Sequence, residues 1–162
     1  MNAVTILTVG RIKTPGLENA HDYFQKLASR YTKIESVELR ASPLRSESDA
    51  DRLKTRTQDG DLFFDWLERA EVPRAGRILL DPEGQSLSTD RFKNLMTPDV
   101  RRLVFVIGGA AGLPDRSHAL HKTAGKVIAF GPQTLSHDLA RVVLMEQIFR
   151  SLSSLAGHPY HK

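Results

Sequence analysis

At 162 residues, with 40% hydrophobic and 26% charged side chains, the chain has the make-up of one globular domain large enough to bury its own core. The absence of cysteine excludes disulfides and thiolate-bound metals. The apolar run Ala3 to Val9 is far too short to span a bilayer and no other run is longer, so a cytoplasmic protein without a membrane partner is expected. Lys plus Arg exceed Asp plus Glu by 23 to 19, a formal charge of +4, which leans only mildly toward a polyanionic partner.

Val4 to Val9 alternates β-branched and aliphatic side chains and stops at Gly10, the pattern of a buried strand. After a loop, Arg11 to Gly16, the positions Leu17, Ala20, Phe24, Leu27 and Tyr31 recur at helical spacing. His21, Asp22, Lys26 and Arg30 fall on the other faces, which predicts a surface helix over a sheet. Ile34 to Leu39 alternates as a second strand, and Arg40 to Ala50 is a polar connection. Leu53, Thr57, Gly60, Phe64 and Leu67 mark one face of a long second helix ending before Pro73, with Gly60 weakening it by about 1 kcal/mol relative to Ala. Arg77 to Leu80 reads as a short strand closing on the turn Asp81-Pro82-Glu83-Gly84, where Asp81 could bond a ribose or simply stabilise the turn.

Ser88 is an N-cap for the helix Thr89 to Met96, which Pro98 stops. Leu103 to Ile107 is a strand running into the glycine turn Gly108 to Gly112. Pro114 takes the first position of a helix that continues from Asp115 to Ala124, with Gly125 as its C′ residue. Lys126 to Phe130 forms a last strand, and Gly131 to Ser136 a loop. A strand-helix unit repeated five times predicts an α/β fold: a mostly parallel sheet with helices on both faces.

The last helix, Asp138 to Ala156, is apolar over far more than the roughly 100° stripe that one sheet contact needs. A second copy of the chain, docked through a two-fold contact, is the expected owner of the extra surface.

Two small-residue loops at the carboxyl ends of successive strands are what a parallel sheet offers a flat ligand. Gly108-Gly109-x-x-Gly112 is neither the dinucleotide fingerprint nor a phosphate-cradling P-loop, and no G-x-S-x-G nucleophile elbow is present. Paired glycine does let a ligand approach the main chain closely. His118 with His121, and His158 with His161, lack a third ligand at useful spacing, so no metal is expected. Glu146 and Arg150 stand four apart, in the order that favours an ion pair along a helix. The tail Gly157-His158-Pro159-Tyr160-His161-Lys162 has no apolar periodicity but concentrates groups able to donate, accept or move protons, and reads as part of a site.

The segment Ile107-Gly108-Gly109-x-x-Gly112-Leu113, the stretch from Thr134-Leu135 through His137, Arg141, Glu146-Gln147 and Arg150, and the ending His158-Pro159-Tyr160-His161-Lys162 together resemble the ribosomal RNA large subunit methyltransferase H family of the SPOUT (α/β-knot) class. The resemblance spans nearly the whole chain. It implies a homodimer with a C-terminal trefoil knot that uses S-adenosylmethionine to methylate N3 of a pseudouridine in a 23S rRNA hairpin loop near the ribosomal subunit interface. Carried over by position, it assigns the cofactor to Leu80, to Gly108 and Gly109, and to Gly131, Pro132, Gln133, Thr134, Leu135 and Ser136. It sends the tail, with His158, Tyr160 and His161, into the partner's site. The chain departs from the family in having Ala110-Ala111 in the glycine turn and Ser136 in place of the usual proline, with a slightly longer segment between Gly109 and His137.

Methyl transfer from a sulfonium asks the enzyme for positioning and charge management. The imide proton on N3 must leave, and His161, His137 and Glu146 are the candidate bases, His161 being preferred. Arg141 and Arg150 are assigned to a phosphate or to the negative charge that develops on the base, and Tyr160 to stacking or hydrogen bonding. Two other readings share the fold: a catalytically inactive ribosome-binding factor, and a SPOUT methyltransferase acting on tRNA.

Overall fold

The computed structural model describes residues 3–97 and 99–161, the last of these without its side chain. Pro98, assigned above as a helix stop, lies outside the described residues, as do Lys162 and the side chain of His161.

Five strands form one sheet, all parallel, in the order β2-β1-β4-β3-β5: β1 (Ala3–Val9), β2 (Lys33–Leu39), β3 (Arg77–Ser86), β4 (Arg102–Ile107) and β5 (Lys126–Ala129). Because successive side chains of a strand point to opposite faces, the central strands supply two cores. Val4, Ile6, Leu103, Phe105 and Ile107 face one layer, and Leu7, Val9, Val104 and Val106 the other. Helices α1 (Leu17–Ala28), α3 (Thr89–Leu95) and α5 (His137–Leu155) cover the first face, whereas α2 (Asp49–Arg69) and the single turn α4 (Ala119–Lys122) cover the second. The predicted two-sided parallel sheet is the one observed. Among the described residues, no helix is long and apolar enough to cross a membrane.

The helix starts follow local chemistry. Ser48, Ser88 and Ser136 each occupy an N-cap and accept a hydrogen bond from the N–H three residues on, at Asp51, Arg91 and Leu139. Ser136 therefore has a structural task, opening α5.

Five readings of local pattern are corrected by tertiary contacts. The buried face of α2 is Thr55, Asp59, Gly60, Phe63 and Leu67; Gly60 and Leu67 of the predicted stripe belong to it, but Leu53, Thr57 and Phe64 do not. Polar residues belong to that face because Asp59 Oδ1 accepts the N–H of Ser42 at 2.8 Å and Thr55 donates to the carbonyl of Pro43, so they satisfy the preceding loop. Gly60 lets α2 approach closely: a β-carbon there would stand 2.6 Å from Pro114. His21, expected on a polar face of α1, is buried beside Asp22 and Ser36.

The segment Asp81 to Gly84 does not end its strand. Leu80 and Gln85 both pair with Ile128, so the four residues between them bulge out and the strand resumes to Ser86. A β-carbon on Gly84 would lie 2.6 Å from the Ile128 main chain, which explains the glycine. The helix expected over Asp115–Ala124 shrinks to α4. Asp115 accepts both the N–H and the hydroxyl of Ser117, holding a turn, and His118 is the N-cap, with Nδ1 accepting from Leu120. Gly125 is not a left-handed C′ residue; it is glycine because a β-carbon would press on the Arg74 carbonyl at 2.3 Å.

Candidate active site

A cleft of about 280 Å³ opens at the carboxyl ends of β3, β4 and β5. One wall is Leu80 with the start of the bulge at Asp81 and Pro82; the floor is Ile107, Ile128 and Ala129. The glycine turn from Gly108 to Gly112 and the loop from Gly131 through Gln133–Ser136 form the other walls, with His137 and Ala140 of α5 closing one end and Arg52 of α2 at the rim. The glycines set this shape. Gly112 N–H donates to the Gly109 carbonyl at 2.9 Å, and β-carbons on Gly108 and Gly109 would lie 2.5 Å from the Gly112 carbonyl carbon and 2.6 Å from Val9. Any side chain at either position would pry the turn open, so the cleft presents main-chain donors and acceptors at close range.

Every residue assigned to the cofactor from sequence lines this cleft except Pro132, which is exposed on the same loop. Among the catalytic candidates whose side chains are described, only His137 lines it. Its neighbour Asp138 is buried at 3% exposure and was not singled out from sequence. Asp138 Oδ2 accepts from the N–H of Lys13 and the N–H of Thr14, both at 3.0 Å, and from the Thr14 hydroxyl at 2.9 Å, tying the loop after β1 to the start of α5. Its Oδ1 lies 3.2 Å from His137 Nε2. Burial pushes this carboxyl upward, but the Lys13 and Thr14 hydrogen bonds together with the His137 imidazole outweigh it and hold it below the usual range.

Arg141 points elsewhere. It is buried, donates to the Gly10 carbonyl at 3.2 Å and pairs with Glu38, and it belongs to a second, polar depression with His21, Gln25 and Ser36. In this single chain its guanidinium is committed to the protein rather than to the cleft.

The other candidates with described side chains, Glu146, Arg150, His158 and Tyr160, lie together elsewhere. Arg150 donates from Nε and a terminal nitrogen to Glu146 Oε1, at 3.0 and 2.6 Å, and lies over the Tyr160 ring, 5.0 Å from its centroid. Tyr160 also packs on Phe149, ring centroids 4.5 Å apart, and its hydroxyl reaches Glu146 at 3.4 Å. The fork-like contact holds the Arg150 guanidinium firmly protonated against the opposing effect of burial. Burial, with the Glu146 carboxylate adding to it, raises the Tyr160 phenol above its ordinary value. His158 is anchored through its N–H to the Ser153 carbonyl, and its Nδ1 accepts the Tyr160 N–H. Glu146 stands nine residues along α5 from His137, about 13 Å at the helical rise, so one protomer does not bring cleft and cluster together.

A parallel α/β sheet whose strand ends and glycine turns frame a nucleoside-sized cleft beside a long helix defines a class of ligand-binding enzyme, and comparison with known proteins makes the class specific. A family model described as "Predicted SPOUT methyltransferase" matches residues 1–161. The chain belongs to the SPOUT methyltransferase family and, by that membership, is an S-adenosylmethionine-dependent methyl-transfer enzyme. It is 34% identical to a protein of Oenococcus oeni named ribosomal RNA large subunit methyltransferase H, with 98% of both chains covered. It is 33% identical to the protein of that name from Sinorhizobium medicae, again over 98% of each. Among solved structures, tRNA (m1G37) methyltransferase from Aquifex aeolicus is similar with a TM-score of 0.57 at 16% identity, covering 98% of this chain and 74% of that one, a likeness of fold alone.

Proposed function

We propose that this chain methylates large-subunit ribosomal RNA, at N3 of a pseudouridine in a 23S hairpin loop, taking the methyl group from S-adenosylmethionine held in the β3–β4–β5 cleft. The observation that carries the reading is that cleft: two small-residue loops with their main chain laid open, in a chain similar over nearly its full length to proteins named as large-subunit ribosomal RNA methyltransferases.

When bound, S-adenosylmethionine supplies an electrophilic methyl on sulfur. The residues of this chain do the rest. Main-chain groups of Gly108–Gly112 and of the Gly131–Ser136 loop read the edge of a flat nucleoside. An imidazole, His161 by preference or His137 at the mouth of the cleft, takes the imide proton as N3 becomes nucleophilic. Arg150 balances the negative charge growing on the base, and the raised Tyr160 phenol stays protonated, able to donate a hydrogen bond or stack.

The site needs two copies. Leu139 is exposed and Val142 and Val143 are half-exposed along one side of α5, leading to Glu146 and Arg150. Antiparallel pairing of two such helices about a two-fold axis would bring each tail cluster toward the other copy's cleft. The trefoil knot belongs to the same reading, and the strand order, with β5 beyond β3 from β4, is compatible with it.

Labelled methyl groups should appear in large-subunit RNA when the protein is given ribosomes and not when it is given tRNA, and mass mapping should locate them on a pseudouridine. Transfer to tRNA alone would overturn the substrate; no transfer with intact donor binding would make the chain an inactive ribosome-binding factor. Mixing a His161→Ala subunit with a cleft-dead Gly108→Val subunit should restore activity, since each mixed dimer holds one intact site. Failure to restore it with dimers formed would overturn the shared site.

A further inference from the structure

Arg52 has no part in the reading above, yet it reaches the cleft from another layer of the fold. It sits in the first turns of α2, on the face of the sheet opposite α5, and extends a guanidinium to the rim formed by the glycine turn. One terminal nitrogen donates to the Ala110 carbonyl at 3.3 Å, and the other pairs with Glu47 at 2.6 Å. Its side chain is 40% exposed and Glu47 is 80% exposed, so this pair is wet, weak and exchangeable.

The cleft itself is small. Its volume of about 280 Å³ falls just below the roughly 300–1,000 Å³ typical of ligand pockets. A nucleoside fills such a space, which leaves the amino-acid end of a sulfonium donor at the mouth. That end bears a carboxylate. Among the described lining residues, Arg52 carries the only permanent positive charge, and Asp81, across the cleft, would repel a carboxylate.

We propose that Arg52 binds the carboxylate of the donor's amino-acid end, exchanging Glu47 for the ligand, and so separates whole donor and product from their nucleoside fragments. This rests on the cleft being the donor site. The planar guanidinium suits a carboxylate in a way a lysine ammonium does not. Its bond to Ala110 also offers a rival role, that of pinning the glycine turn, which the test must tell apart.

Titration calorimetry on the full-length protein with two probes decides it. S-Adenosylhomocysteine carries the carboxylate; S-adenosyl-3-thiopropylamine keeps the nucleoside, sulfur and amine but lacks it. Arg52→Ala should weaken S-adenosylhomocysteine by about tenfold and change the decarboxylated probe by less than twofold. Arg52→Lys should recover part of the loss, and Glu47→Gln, which frees the guanidinium, should tighten S-adenosylhomocysteine alone. Equal weakening of both probes means that Arg52 only supports the turn, and no weakening of either means that it does not face the ligand; each outcome overturns the proposal. If the unaltered protein binds neither probe, the donor-site reading of the cleft falls first and this proposal with it.

Discussion

The cleft at the strand ends and the cluster at the tail are built from different materials. The cleft walls are largely main chain: glycine loops in which Gly108 and Gly109 leave no room for a β-carbon, held by the packing of the sheet beneath them. The cluster is side chain: a carboxylate, a guanidinium and a phenol stacked on one another along α5. A main-chain surface recognises shape, and its precision is inherited from the stability of the fold. A side-chain cluster recognises and moves charge, and single substitutions can retune it without disturbing the core. In the proposed function, donor binding falls to the first region and the preferred base chemistry to the second, and the two meet only across a two-fold axis of the proposed assembly.

Substitutions can break that division or sharpen it. The largest effect is expected at the glycine turn. Gly108→Val places atoms inside the Gly112 main chain, so S-adenosylhomocysteine binding should vanish in calorimetry and the melting temperature should fall. Unchanged binding would mean that the turn is not a recognition surface. Next comes the tail. His161→Ala should lower turnover by about 10²-fold or more while donor affinity stays within twofold. If affinity is lost instead, the division of labour is wrong.

A smaller effect is expected where the cleft joins the rest of the fold. Asp138→Asn disrupts three hydrogen bonds to a buried carboxylate and should cost about 2 kcal/mol in denaturant unfolding at neutral pH. The pH dependence has a definite sign. Because the folded-state value is lowered, the stabilisation is complete above the unfolded value near 3.9 and is lost as pH falls through the folded value. The wild-type advantage over Asp138→Asn should therefore shrink on acidification below about pH 4; an advantage that grows there would contradict the hydrogen-bonding account. Least of all, Ser136→Ala should remove an N-cap worth about 1 kcal/mol, shifting the unfolding midpoint slightly and leaving tail chemistry intact.

The cleft was largely legible in the sequence because its signals are local. A glycine pair after an apolar strand, and a loop of small residues one unit later, announce close approach without any partner being known. Arg52 escaped that reading because 58 positions separate it from the Ala110 carbonyl it touches. Asp138 escaped it because an aspartate in the first turn of a helix ordinarily answers only to the helix dipole, whereas here it holds a loop 124 and 125 positions away. Arg141 stood out through the family resemblance, and Glu146 as a charge on an apolar helix. Only the folded chain separates them, giving the first to Glu38 and Gly10 and the second to Arg150 and Tyr160.

By itself the sequence determined the order of strands and helices along the chain, the two-sided sheet and the Ser88 cap, since periodicity and capping act over a few residues. Tertiary structure decided which side of α2 is buried, why Gly60, Gly84 and Gly125 must be glycine, and how the strand after Leu80 bulges and resumes. Those outcomes depend on a neighbour from a distant part of the chain, a proline ring, a carbonyl or a paired strand, standing within 3 Å of where a side chain would begin. Local pattern carries no record of such a neighbour.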